Sequence, residues 1–166
     1  MTKAASERPI ASGTPAPEFT LTREDGSDFS RDDLIGNTTV LVFYPFAFSP
    51  VCTDQISLYE DVLSDYLAKR SVIMYGVSCD ARYSQTAFRE KLGVSIPQLS
   101  DFEPKGAACK AFGVYHPGGF PQRALVIVAP DGIVGWSYQA PTPRELPGAN
   151  LIFDGLDAVA ARTAPG

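Results

Sequence analysis

Residues 38–52 read TTVLVFYPFAFSPVC. The first half, TTVLVFYP (38–45), is a nearly continuous apolar run rich in β-branched and aromatic residues. It predicts a strand buried on both faces, as in a parallel sheet. Pro45 ends that strand, because proline has no amide hydrogen for a sheet ladder. Pro50 suits the first position of a helix, where the missing N–H costs nothing. Beyond it Leu58, Val62, Leu63, Tyr66 and Leu67 recur at three- and four-residue spacing. A strand therefore feeds into a helix, and a cysteine, Cys52, falls at the junction.

Working outward, residues 19–21 and 28–29 read as short strands around the turn EDG (24–26), followed by a helical turn or loop in RDDLIGN. Downstream, SVIMYGVS (71–78) is a second strand. A helix follows over about 82–92, with Tyr83, Ala87, Phe88 and Leu92 as its apolar stripe and Gly93 as its stop. After LSD comes a short helix over 104–111, leading into FGVYHPGGF. RALVIVAPDGIVGWSY predicts a hairpin turning at APDG, and ELPGANLIFDGLDAVAAR predicts the closing helix. The order describes an α/β fold: a central mixed sheet flanked by helices on both faces, with an N-terminal β extension. Residues 1–16 read as a polar tail and 17–166 as one domain.

Bulk properties narrow the function. The 166 residues include 45% hydrophobic and 20% charged, enough for a real core and too few charges for general disorder. A net charge of -5, from 19 acids and 14 bases, argues against nucleic acid and against an acidic membrane surface as partners. No stretch approaches the ~20 apolar residues of a membrane span, and the N-terminus lacks the apolar core of a signal peptide. Cys52, Cys79 and Cys109 are too few and scattered for a disulfide scaffold, so free thiols in a reducing compartment, the cytoplasm, are expected.

In open α/β sheets ligands gather beyond the carboxyl ends of strands, which is where Cys52 falls. It also falls in the first helical turn, where unpaired backbone N–H groups favour negative charge and hence a thiolate nucleophile. The competing reading is a buried structural cysteine. Ser49, three residues earlier, places a hydroxyl at the same bend, either to donate to the sulfur or a bound oxygen, or to cap the helix. Pro45 is either a wall over the sulfur or only the end of the strand. Arg123 opens the apolar strand ALVIV, where a cation is either tethered for chemistry or solvated at the surface. His116, in the turn VYHPGG, reads as a turn residue rather than a base. The cysteines and this histidine make no zinc pattern, and no glycine-rich loop has nucleotide-binding spacing. Neither metal nor cofactor is called for.

Pro45, Ser49 and Cys52 follow the pattern of proline, three residues, threonine or serine, two residues, cysteine. On that pattern the chain resembles the peroxiredoxins. QRALVIVAPDG resembles the family's distant arginine segment, and GVSCDARYSQTAF (76–88) and LSDFEPKGAACKAFGVY (99–115) resemble its next two strand–helix segments. The resemblance covers about 17–162 and is to the short bacterial group of alkyl hydroperoxide reductase E and bacterioferritin-comigratory proteins. It implies a thioredoxin-like fold. It also implies an antioxidant thiol-dependent peroxidase: Cys52 reduces hydrogen peroxide or organic hydroperoxides through a sulfenic acid, aided by Ser49, Arg123 and Pro45. The partners implied are a peroxide substrate, an external low-molecular-weight thiol or thioredoxin-type reductant, and a second copy in a homodimer. Ser49 replaces the commoner threonine, and Gln55 stands where many relatives carry glutamate. A resolving cysteine about four residues after Cys52 is absent. Cys79 and Cys109 remain possible resolving residues, with a one-cysteine cycle preferred. The alternatives are a thioredoxin-like thiol–disulfide oxidoreductase, for which SPVC lacks the first cysteine of a CxxC pair, and a noncatalytic binding module.

Overall fold

The junction at 38–52 lies in the middle of the sheet. The computed structural model describes residues 8–163. Its strands are β1 (Thr20–Arg23), β2 (Asp28–Ser30), β3 (Thr38–Phe43), β4 (Val72–Ser78), β5 (Gln98–Ser100), β6 (Tyr115–His116), β7 (Phe120–Pro121), β8 (Ala124–Val128) and β9 (Val134–Gln139). The helices are α1 (Pro50–Lys69), α2 (Arg82–Leu92), α3 (Ala107–Ala111) and α4 (Ala149–Thr163). Seven strands form one sheet in the order β2-β1-β5-β4-β3-β8-β9, and β6 pairs with β7 apart from it. The run at 38–43 is indeed central, but its neighbours differ: β4 lies parallel to it and β8 antiparallel. The N-terminal hairpin is joined to the main sheet, because β1 pairs antiparallel with β5.

Strand alternation divides the core into two layers. Val40, Val42 and Tyr44 point to one face with Leu125 and Ile127, beneath Cys52, Ile56, Tyr59 and Leu63 of α1 and Ile152 and Val159 of α4. Leu41 and Phe43 point to the other with Val77 and Val126, against Cys109 of α3 and the side chains of Phe112, Leu21 and Phe29. Ile56 and Leu63 are fully buried, each worth about 1.5–3 kcal/mol relative to exposure. The α4 helix comes close to the sheet through glycines: a Cβ on Gly155 would sit 2.6 Å from Trp136 Cε3, and one on Gly135 would sit 2.5 Å from Val159 Cγ2.

Local reasons match the boundaries. Gly93 ends α2 in the left-handed conformation, φ 69°, and the APDG turn closes with Gly132 N donating to Ala129 O at 2.9 Å. The expected short helix starts at Ala107 rather than 104. The tail is where expectation and structure part most clearly. Residues 1–7 lie outside the described residues, but 8–16 are packed. Ile10 N donates to Phe112 O at 2.9 Å, Gly13 N to Val134 O at 2.7 Å, and Ala16 is buried. Backbone bonding to β9 holds this segment down, a signal that side-chain polarity does not carry. Among the described residues, no helix is long and apolar enough to cross a membrane.

Candidate active site

Cys52 is the third residue of α1, which begins at Pro50 after Ser49 as N-cap. Thr53 N donates to Ser49 O at 2.9 Å, and the amides before it in a helix have no intrahelical acceptor. The N-terminus thus presents its positive end beside the sulfur. Cys52 is fully buried in the α1-side layer. The loop between β3 and α1 leads directly into it. That loop is braced from β4: the Asp80 carboxylate accepts Ala47 N at 2.8 Å and Ser78 Oγ at 2.8 Å. Within it Phe48 takes φ 71°, uncommon for a residue with a side chain.

Arg123 stands one residue before β8 and is buried. Its Nη2 donates to Cys52 Sγ at 3.3 Å, Nη1 to Gln55 Oε1 at 2.7 Å and Nε to Pro143 O at 2.7 Å. Gln55 Nε2 donates in turn to Tyr59 Oη at 3.2 Å, and Tyr59 donates to Pro147 O at 2.7 Å. Burial pushes the Tyr59 phenol up to about 12, so it stays a neutral donor at ordinary pH. Gln55 carries both an acceptor for the guanidinium and a donor for the phenol, a pairing that a carboxylate lacks. Burying a cation is costly unless it is paired. Among these partners of Arg123, two are neutral carbonyls, and the sulfur is the one that can take negative charge.

The structure thus brings Arg123 to Cys52 from 71 positions away in sequence. Ser49 takes the N-cap position, but its side chain makes no cap hydrogen bond. Pro45 is buried and lines a cavity together with Phe46 and Cys79. His116 is not at the site; it stacks on Phe120 at a centroid distance of 4.3 Å, and its Nδ1 accepts Gly118 N. Cys79 and Cys109 belong to the opposite core layer from Cys52. Tyr59 is not singled out by the sequence patterns above; its signal is its place one turn beyond Gln55 on the buried stripe of α1.

The AhpC/TSA family matches residues 12–137. Putative peroxiredoxin bcp of Coxiella burnetii is 35% identical over 105 residues, covering 63% of this chain and 68% of that protein. The putative thioredoxin peroxidase of Encephalitozoon cuniculi is 35% identical over 112 residues, covering 63% of this chain and 62% of that protein. Peroxiredoxin Bcp of Escherichia coli is 33% identical over 112 residues, covering 68% of this chain and 70% of that protein. The matched stretch thus spans about two thirds of these curated relatives. Among solved structures, AhpC of Enterococcus faecalis matches with a TM-score of 0.80 at 23% identity, covering 94% of this chain and 98% of that one. BcpB of Mycobacterium tuberculosis matches with a TM-score of 0.76 at 23% identity, covering 92% and 97%. These two carry the fold, a helix-flanked mixed sheet of thioredoxin-like type.

Proposed function

The chain belongs to the AhpC/TSA family of thiol-dependent peroxidases, and from that premise we propose that Cys52 is the nucleophile that reduces hydrogen peroxide and organic hydroperoxides. The observation that carries this reading is the buried Arg123 guanidinium donating to the Cys52 sulfur at 3.3 Å. A thiolate is the charge that compensates this cation, and it is also the nucleophilic form of cysteine.

The sulfur attacks one peroxide oxygen and the O–O bond breaks. Cys52 becomes a sulfenic acid, and the leaving oxygen takes up a proton from solvent and departs as water or an alcohol. Negative charge moves during this step from sulfur to the leaving oxygen. Arg123 and the N-terminal amides of α1 are fixed on the side where that charge begins, so little reorganisation is needed. One such donor is worth about 2.7–4 kcal/mol in a well-studied case. The Ser49 hydroxyl, without a cap bond to hold it, is free to donate to a bound oxygen. Pro45 limits the approach beside the loop.

An external thiol, of low molecular weight or thioredoxin type, then attacks the sulfenic sulfur and releases water. A second thiol frees Cys52 and leaves as part of a disulfide. Placement of Cys79 and Cys109 in the other core layer supports this one-cysteine cycle. Free thiols suit a reducing compartment, the cytoplasm. Phe46, Phe48 and Phe102 are exposed near the site and supply the apolar surface on which two copies would pair.

The test is peroxide turnover with a thiol reductant. Cys52→Ser is expected to fall to the uncatalysed rate, and turnover near that of the parent protein would reject the assignment.

A further inference from the structure

On the side of the sheet away from Cys52, two thiols and a carboxylate meet. Cys79 follows β4, Asp101 follows β5 and Cys109 lies in α3. Their sulfur and oxygen atoms all lie within 4.8 Å of one another. Asp101 sets the position of α3: its Oδ1 accepts Ala108 N at 3.0 Å and its Oδ2 accepts Cys109 N at 2.8 Å. The two thiols differ in access. Cys109 is fully buried. Cys79 is half-buried and lines a cavity of about 370 Å³ with Pro45, Phe46, Ser84, Phe102 and Lys105. Cys79 borders this cavity, and Cys109 is not among its lining residues.

We propose that Cys79 and Cys109 form a second redox couple, in which Cys79 exchanges with a small disulfide in the cavity and Cys109 then closes an intrachain disulfide. In the first step the Cys79 sulfur attacks one sulfur of the disulfide RSSR. A mixed disulfide forms on Cys79, the RS–SR bond breaks, and one thiol RSH leaves with the Cys79 proton. In the second step the Cys109 sulfur attacks the Cys79 sulfur of that mixed disulfide. The Cys79–Cys109 bond forms and a second RSH leaves with the Cys109 proton. The two cysteines lose two electrons and RSSR gains them. A disulfide needs sulfurs about 2.05 Å apart, so these two, within 4.8 Å of each other, must approach further for the bond to close.

The same geometry separates this couple from Cys52. The strands β3 and β4 stand between the two layers, and neither Cys79 nor Cys109 shares the layer of Cys52. A cation held by the same three groups is the competing occupant of the cluster, and it would bind by displacing the thiol protons. In the exchange Cys109 gives up its proton as it attacks, because the thiolate is the nucleophile. The oxidant is of the class that a one-cysteine cycle at Cys52 releases, but the couple does not depend on that cycle.

The experiment uses the full chain carrying Cys52→Ser, so that the outcome is independent of the peroxidase reading. The protein is treated with excess cystamine, remaining thiols are alkylated after denaturation, and unreduced peptides are mapped by mass. The expected result is a Cys79–Cys109 linked peptide, loss of both alkylatable thiols and no retained cysteamine. Adding Cys109→Ala is expected to stop the reaction at a cysteamine adduct on Cys79. A lasting adduct on Cys79 beside an alkylated Cys109 would overturn the proposal, as would no reaction at either cysteine. Zinc added alone that protects both thiols from cystamine would also overturn it, by assigning the cluster to a cation.

Discussion

Cys52 and Cys109 occupy matching places on opposite sides of one sheet. Each is the third residue of its helix, and each is fully buried. Their neighbours carry opposite charge. Cys52 receives a hydrogen bond from the Arg123 guanidinium. Cys109 faces the Asp101 carboxylate and the Cys79 thiol, and the bond to Cys79, burial and that carboxylate push its pKa well up. Asp101 is itself raised, by burial first, against the amide bonds from Cys109 and Ala108 that lower it. The same position at a helix start therefore leaves the two sulfurs in opposite electrostatic surroundings. The charge facing the sulfur separates the two.

Removing the cation should have the largest effect. Arg123→Ala is expected to slow single-turnover peroxide consumption by about 10²–10³-fold, the cost of losing one preorganised donor. Arg123→Lys should recover part of this, since an ammonium keeps the charge but lacks the planar fork that reaches Cys52, Gln55 and Pro143 together. Stopped-flow rates equal to those of the parent protein in Arg123→Ala would break the comparison on the Cys52 side.

The Cys109 side is tested by alkaline stability. A thiol whose pKa is raised by folding binds its proton longer in the native state than in the unfolded one. Its contribution is complete below the unfolded thiol value, about 8.5, and is lost as pH rises from there toward the folded value. For one such group the loss is about 1.4 kcal/mol per pH unit. Cys109→Ala should shift the onset of this decline toward the tyrosine range, about 10, where the raised Tyr59 begins to act. Thermal unfolding from pH 7 upward measures it. Superimposable pH profiles for the two proteins would show that Cys109 does not contribute.

Ser49→Ala should have the smallest effect. With no side-chain cap bond to lose, thermal stability is expected to change by no more than about 0.5 kcal/mol. The peroxide rate should fall less than in Arg123→Ala, because the amides of α1 and Arg123 remain. A larger stability loss with an unchanged rate would return Ser49 to a capping role.

How much of this was legible in the sequence follows the range of the interactions. The apolar run at 38–43, the stripe from Leu58 to Leu67 and the APDG turn are local patterns, and each marked its element. So was the Pro45–Ser49–Cys52 spacing. Arg123 was recognisable through resemblance, but its bond to Cys52 and its fork onto Gln55 and Pro143 depend on β8 lying beside β3. Such pairing leaves no trace in either segment alone. The same holds for residues 8–16, whose anchoring is through backbone bonds, and for β6 and β7, two residues each. The meeting of Cys79 with Cys109 was also hidden, because it requires the ends of β4 and β5 to lie in register below α3.

The most direct measurement is the selectivity of one equivalent of hydrogen peroxide for the three thiols of the native protein. Sulfenic acid is trapped with dimedone as it forms, and the peptides are then mapped by mass. The expected result is a dimedone adduct on Cys52, with Cys79 and Cys109 still alkylatable after denaturation. An adduct that appears first on Cys79 or Cys109, while Cys52 stays a free thiol, would contradict the account.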